Sequence, residues 1–167
     1  MNDAKRPDPA LALLSPSERA RAALIGPRDV ALLVFEVNGA RHAVELHRTR
    51  EILRSRKATP LPRVPDFIEG VIAIRGEIMP VVDVALRLYA TLSAAAPRAR
   101  LLVVAGQKGE PAALRVEAVL GVVRFRPELV REPPPDSSFL RAVTEGTELT
   151  RVLDLDALLD FRAVPLG

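Results

Sequence analysis

Asn38-Gly39 lies between two stretches whose apolar residues alternate in twos, and no other short feature constrains the chain as strongly. A two-residue Asn-Gly loop between alternating segments specifies a β-hairpin with a type I′ turn, because both turn residues must take positive φ. Ala31 to Val37 reads as the outgoing strand and Ala40 to Leu46 as the return. On the return strand His42, Val44 and Leu46 share one face, and Arg41, Ala43 and Glu45 the other. A second hairpin follows, Leu101 to Ala105, a turn over Gly106 to Pro111, and Ala112 to Val116, with Leu102 standing 69 residues after Leu33.

The stretches after the two hairpins are also alike. Pro60, Pro62 and Pro65 force an extended connection, after which Val71 to Ile74 and Ile78 to Val82 read as strands hinged at Arg75-Gly76. Pro80 marks the second of them as an edge or a bulge. Val84 to Tyr89 closes this half as a short helix, and Thr91 to Ala99 reads as a linker. In the second half Val119 to Phe125 is a strand interrupted by Gly121, and Pro127 to Asp136 a proline-rich loop. Ser138 to Thr144 and Leu149 to Leu153 form a hairpin across Glu145-Gly146, and Asp154 caps a helix ending near Asp160. Val81-Val82-Asp83-Val84 matches Val152-Leu153-Asp154-Leu155 at an offset of 71. The expected fold is therefore mainly β: two small five-stranded β-barrels packed together, with short helices. Ahead of them, residues 1–29 form an arm with a helix over Pro16 to Ile25, started by Ser15-Pro16-Ser17-Glu18 and stopped by Gly26-Pro27.

Composition narrows the chemistry. Of 167 residues 49% are apolar but only six are aromatic, so Val, Leu, Ile and Ala must build the interior. The absence of Cys excludes disulfides, thiolate metal sites and cysteine nucleophiles. The longest aliphatic or aromatic run, Val30 to Phe35, is far short of the roughly 20 residues that span a bilayer, so no membrane insertion is expected and the location reads as cytoplasmic. The net charge of +3 hides an asymmetry: residues 41–63 carry +5 and residues 127–167 carry −4. Such a bipolar chain suits two charged partners or head-to-tail packing. A nucleic-acid-binding barrel using the 41–63 segment is a remote alternative, since no aromatic residues interleave it.

No catalytic constellation emerges, and no metal or cofactor site. Gly106-Gln107-Lys108-Gly109 sits between strands and lacks the Ser or Thr of a phosphate loop, so it reads as a turn. None of the six serines occupies a Gly-flanked elbow. His42 and His47 are poorly spaced for a shared metal, and His42 reads as an inward imidazole in a polar pocket. Asp83 and Asp154 read as helix caps; they become an acid–base pair only if the fold brings them together. The pattern is that of a binding module, not an enzyme.

Leu33-Val34-Phe35-Glu36-Val37-Asn38-Gly39, Ala43-Val44-Glu45-Leu46, Arg50-Glu51-Ile52-Leu53, Pro62 through Val71, and Ile74-Arg75-Gly76-Glu77-Ile78-Met79-Pro80-Val81-Val82-Asp83 follow one another along the chain. In this order they resemble the CheW family of bacterial chemotaxis coupling proteins. The second half is similar more loosely, through Ala113 to Val119 and Val152 to Leu155. The resemblance implies a CheW-like domain over 30–163, the first barrel mainly 30–90 and the second mainly 100–163, around a shared aliphatic core. It also implies a non-enzymatic scaffold that binds the regulatory domain of a CheA-type histidine kinase and the cytoplasmic helical tip of a chemoreceptor. The alternative within the same class is a specialised adaptor of a surface-motility or other chemosensory-like pathway with one partner surface altered.

By motif match Glu51 and Arg75 are the acid and arginine of the receptor-facing surface, a carboxylate holding a guanidinium fork. The plain alternative is a structural ion pair. Ile52, Val71 and Ile74 are expected beside them, lining an apolar groove or simply packed in the core. Gly70 matches a family glycine, at minimum a positive-φ position. Departures from the family pattern are His42 in place of an inward aromatic, Ala142 in place of a glycine, the short turn Glu145-Gly146-Thr147, and the arginines of Arg48 to Arg56.

Overall fold

The fold is seen in a computed structural model, which describes residues 30–93, 95–126, 130–144 and 148–163. The expected arm and helix before Val30 and the Glu145-Gly146 turn lie outside the described residues. The elements in order are β1 (Val30–Val37), β2 (Ala40–Glu45), a 3-10 turn (Leu46–Arg48), β3 (Thr49–Arg54), β4 (Ile68–Ile74), β5 (Glu77–Asp83) and helix α1 (Val84–Tyr89). Then come β6 (Arg100–Ala105), β7 (Pro111–Val116), β8 (Ala118–Phe125), β9 (Val130–Arg131), β10 (Leu140–Thr144), β11 (Thr150–Leu153), helix α2 (Leu155–Leu158) and a closing 3-10 turn (Phe161–Ala163). Asn38 and Gly39 at φ 51° and 70°, and Arg75 and Gly76 at φ 52° and 82°, make both two-residue hairpin turns left-handed, as the right-handed twist of the flanking strands demands.

The strands form two sheets, in the orders β8-β1-β2-β11-β10-β9 and β3-β6-β7-β5-β4. The internal repeat explains both orders. Exchanging β1, β2, β3, β4 and β5 for β6, β7, β8, β10 and β11 turns one sheet into the other. Each half thus gives its hairpin to one sheet and its other three repeat strands to the opposite sheet, and both 30–90 and 100–163 contribute to both. The joints are equivalent parallel contacts, Val152 beside Ala43 and Val81 beside Ala113. The repeat extends to single hydrogen bonds: Asp83 N donates to Phe67 O and Asp154 N to Phe139 O, each at 2.8 Å. Both aspartates then cap the helix after them, Asp83 through Leu86 N and Asp154 through Asp156 N and Ala157 N.

The central strands β1, β6 and β7 are buried on both faces, which is why they read as near-continuous apolar runs, while β3, β4 and β8 at the edges keep exposed positions. Leu33, Phe35 and Val37 of β1 and Leu102, Val104 and Leu114 of β6 and β7 meet in a shared interior, together with Val82, Leu153 and Leu158. The alternate residues turn inward within each sheet. Leu32, Val34, Ala43, Phe125 and Val152 fill one concavity; Ile72, Met79, Val81, Leu101 and Val103 fill the other. The molecule is two small barrel-like units on one aliphatic core. Pro80 is tolerated because β5 meets β7 only from Val81 onward, so its missing N–H removes no bond on that side.

Candidate partner-binding site

β3 and β4 are the opposite edges of the five-stranded sheet, and side chains close the seam between them. At one end Arg75 Nη2 donates to Glu51 Oε1 at 3.0 Å. At the other, Arg115 of β7 forks onto the Glu69 carboxylate and reaches Ser55 Oγ and the Arg56 carbonyl, while Arg56 Nη2 donates to Ala73 O at 2.9 Å. The Arg115–Glu69 pair is largely buried and is the structural clasp. The Arg75 side chain is 80% exposed and keeps most of its donors free.

The Glu51–Arg75 pair stands over a groove of about 350 Å³. Ile74, Met79 and Val103 are its apolar residues, and Arg50 and Glu77 add a second ionic pair at 3.6 Å. Arg50 is steadied by donating to Gly109 O at 2.7 Å. The three apolar side chains are buried at the floor of the groove, so its accessible surface is the rim of paired charges, with Arg75 the most exposed.

Of the residues singled out by motif, Glu51, Ile74 and Arg75 come together in this groove. Ile52, one residue along β3, turns to the other face and packs on the shared core. Gly70 and Val71 lie further down β4, where Val71 exchanges both backbone hydrogen bonds with Thr59 at 2.9 Å. Gly70, at φ 142°, is required there, because a Cβ would overlap the Thr59 carbonyl. Arg50, Glu77 and Met79 were not anticipated. Strand alternation after the Arg75-Gly76 turn would have found two of them, since Glu77 and Met79 pair with Ile74 and Ile72.

The charge asymmetry is partly settled within the chain. Arg41 pairs with Glu148, and Arg48 with Asp156 at 2.6 Å, so the acidic C-terminal segment neutralises the start of the basic one. His42 is wholly buried. Its Nδ1 lies 2.9 Å from Ala40 O and its Nε2 2.5 Å from the Tyr89 hydroxyl. A carbonyl only accepts, so Nδ1 carries the proton and Nε2 accepts from Tyr89. Burial depresses the imidazole pKa and raises that of the Tyr89 phenol, so both are neutral at pH 7. The inward imidazole in a polar pocket is what the structure contains. Among the described residues no three His, Asp or Glu are grouped to hold a metal ion, and no helix is long and apolar enough to cross a membrane.

A pair of curled sheets on one core, with a charged rim over an apolar groove, defines a two-barrel module built to present surfaces to other proteins. Comparison with known proteins makes this specific. The CheW-like domain family model matches residues 31–163, and the chain belongs to that family. It is 34% identical to the chemotaxis protein CheW of Rhizobium meliloti, over 69% of this chain and 74% of that one. It is 36% identical to the protein FrzA of Myxococcus xanthus, over 70% of this chain and 72% of the relative. The crystal structure of the scaffolding protein TtCheW from Thermoanaerobacter tengcongensis superposes with a TM-score of 0.74 at 25% identity, covering 79% of this chain and 93% of that chain. The family is a non-catalytic scaffold that couples receptors to the CheA kinase in chemotaxis.

Proposed function

We propose that this chain is a cytoplasmic scaffold that holds a chemoreceptor's helical tip against the regulatory domain of a CheA-type histidine kinase. The observation that carries the reading is the Glu51–Arg75 pair above Ile74 and Met79. It supplies an exposed guanidinium fork whose position is fixed by a carboxylate, at the rim of a groove for one helix face. Arg50 and Glu77 extend the rim. Ile52, Gly70 and Val71 support the receptor-facing surface from beneath, by packing β3 on the core and β4 under Thr59. The likeness to FrzA favours, as a second reading, a specialised adaptor of a surface-motility pathway with one partner surface altered.

Titrating the full chain with a cognate kinase regulatory domain and with a receptor tip tests the proposal. Binding of both is expected in the micromolar range, and no binding of either at about 100 μM contradicts it. Binding of the kinase domain alone supports the altered-surface reading.

A further inference from the structure

A second depression, of about 340 Å³, opens where the end of α1 meets the starts of β10 and β11. Leu88, Tyr89, Phe139 and Leu140 give it aliphatic and aromatic lining, and Arg151 and Asp136 also line it. Arg151 is half-buried, yet no carboxylate lies within 4 Å of it among the described residues. Three other arginines that are not fully exposed each hold a carboxylate, Arg41 with Glu148, Arg48 with Asp156 and Arg115 with Glu69. Asp136 shares the depression without reaching it. The strand partner of Arg151 is His42, which is neutral, and Tyr89 beside it keeps its phenol proton. A half-buried guanidinium beside apolar side chains, with the Asp136 carboxylate of the same depression beyond ion-pair distance, favours an anion more than the same group in open water.

We propose that this depression binds a carboxylate carried on a compact aromatic or branched apolar body, the carboxylate on Arg151 and the body among Tyr89, Leu88 and Phe139. Its volume is near the small end of ligand cavities, about 300–1,000 Å³, which suits one ring or one branched side chain and excludes a helix. Two sources share that chemistry, a free small acid and the C-terminal residue of a peptide. The site is independent of the Glu51–Arg75 groove and of the scaffold reading.

The test titrates the full chain with 3-phenylpropanoate and with the isosteric 3-phenylpropanamide, following the His42 ring signals by NMR. The acid is expected to saturate with a Kd at or below about 1 mM, and the amide to bind at least about tenfold more weakly. The His42 titration midpoint should rise on saturation with the acid, because the bound carboxylate offsets the charge of Arg151. Arg151→Gln should weaken the acid about tenfold, and Arg151→Lys, which keeps the charge and loses the fork, by less. A blocked dipeptide ending in a free Phe carboxylate, compared with its C-terminal amide, assigns the source. Tighter binding than the free acid points to a peptide terminus, and weaker binding to a small molecule. Equal binding of acid and amide, or no saturation by about 10 mM, overturns the proposal.

Discussion

Arg75 reaches back across the seam between β4 and β3 to donate to Glu51 at 3.0 Å, although the two strands are the outermost of their sheet. The pair spans the barrel wall, yet Arg75 is too exposed for its Coulomb attraction to count heavily. Glu51→Ala is expected to change unfolding stability by less than about 1 kcal/mol in a urea titration. A loss of several kcal/mol would make the pair a structural clasp like Arg115–Glu69.

Gly70→Ala should be far more damaging. The position combines φ 142° with a Cβ site already filled by the Thr59 carbonyl, so relief requires moving the backbone of the proline-rich connection. A cost of about 2–4 kcal/mol is expected, read as a lowered midpoint of thermal unfolding.

The two capping aspartates occupy equivalent places and should not be equivalent in energy. Asp83 is buried and accepts from Leu86 N at 3.0 Å, Ser93 Oγ at 2.6 Å and Ser93 N at 3.2 Å. Asp154 accepts only from Asp156 N and Ala157 N, at 3.0 and 3.1 Å. Asp154→Ala should cost about 1 kcal/mol, as for a helix cap, and Asp83→Ala about 2–3 kcal/mol, because it also frees buried donors of the linker. Equal losses in chemical denaturation would contradict this.

His42 gives the fold an acid-sensitive joint. It faces Tyr89 of α1, its strand partner Arg151 of β11 and the Phe35 ring, with Arg151 opposing and Glu117 favouring its protonation. Its folded pKa is depressed, so the native state binds fewer protons than the unfolded chain once pH falls below about 6.5. The stability from neutral His42 is complete above that pH and is lost on acidification, at no more than about 1.4 kcal/mol per pH unit. Unfolding at pH 7.5 and 5.5 should therefore show a larger acid loss for the wild-type chain than for His42→Phe. Parallel losses would place the acid sensitivity elsewhere.

The hairpins, the aspartate caps and the internal repeat were legible in the sequence because each rests on local chemistry: Asn-Gly at a turn, Asp before a helix, alternation along a strand. The Glu51–Arg75 pair was legible only through family resemblance, since no local pattern joins residues 24 apart across two sheet edges. Strand β3 was hidden because Thr49-Arg50-Glu51 breaks the alternation. The pairing of strands across the halves was hidden as well. A repeat says that two units are alike, but not that each lends its hairpin to the other. The His42–Tyr89 bond and the pairing of Arg41 and Arg48 with the acidic C-terminal segment likewise depend on that long-range arrangement. The bipolar charge of the chain is partly an internal neutralisation.

In the proposed function the Glu51–Arg75 rim faces the receptor and serves binding more than stability. The most direct measurement is the affinity of the folded chain for a chemoreceptor tip, wild type against Arg75→Ala, with the kinase regulatory domain titrated in parallel. A loss of about tenfold or more is expected for the receptor, the usual weight of a charge-assisted contact, with kinase affinity unchanged. Unaltered receptor affinity in a folded Arg75→Ala protein would contradict it.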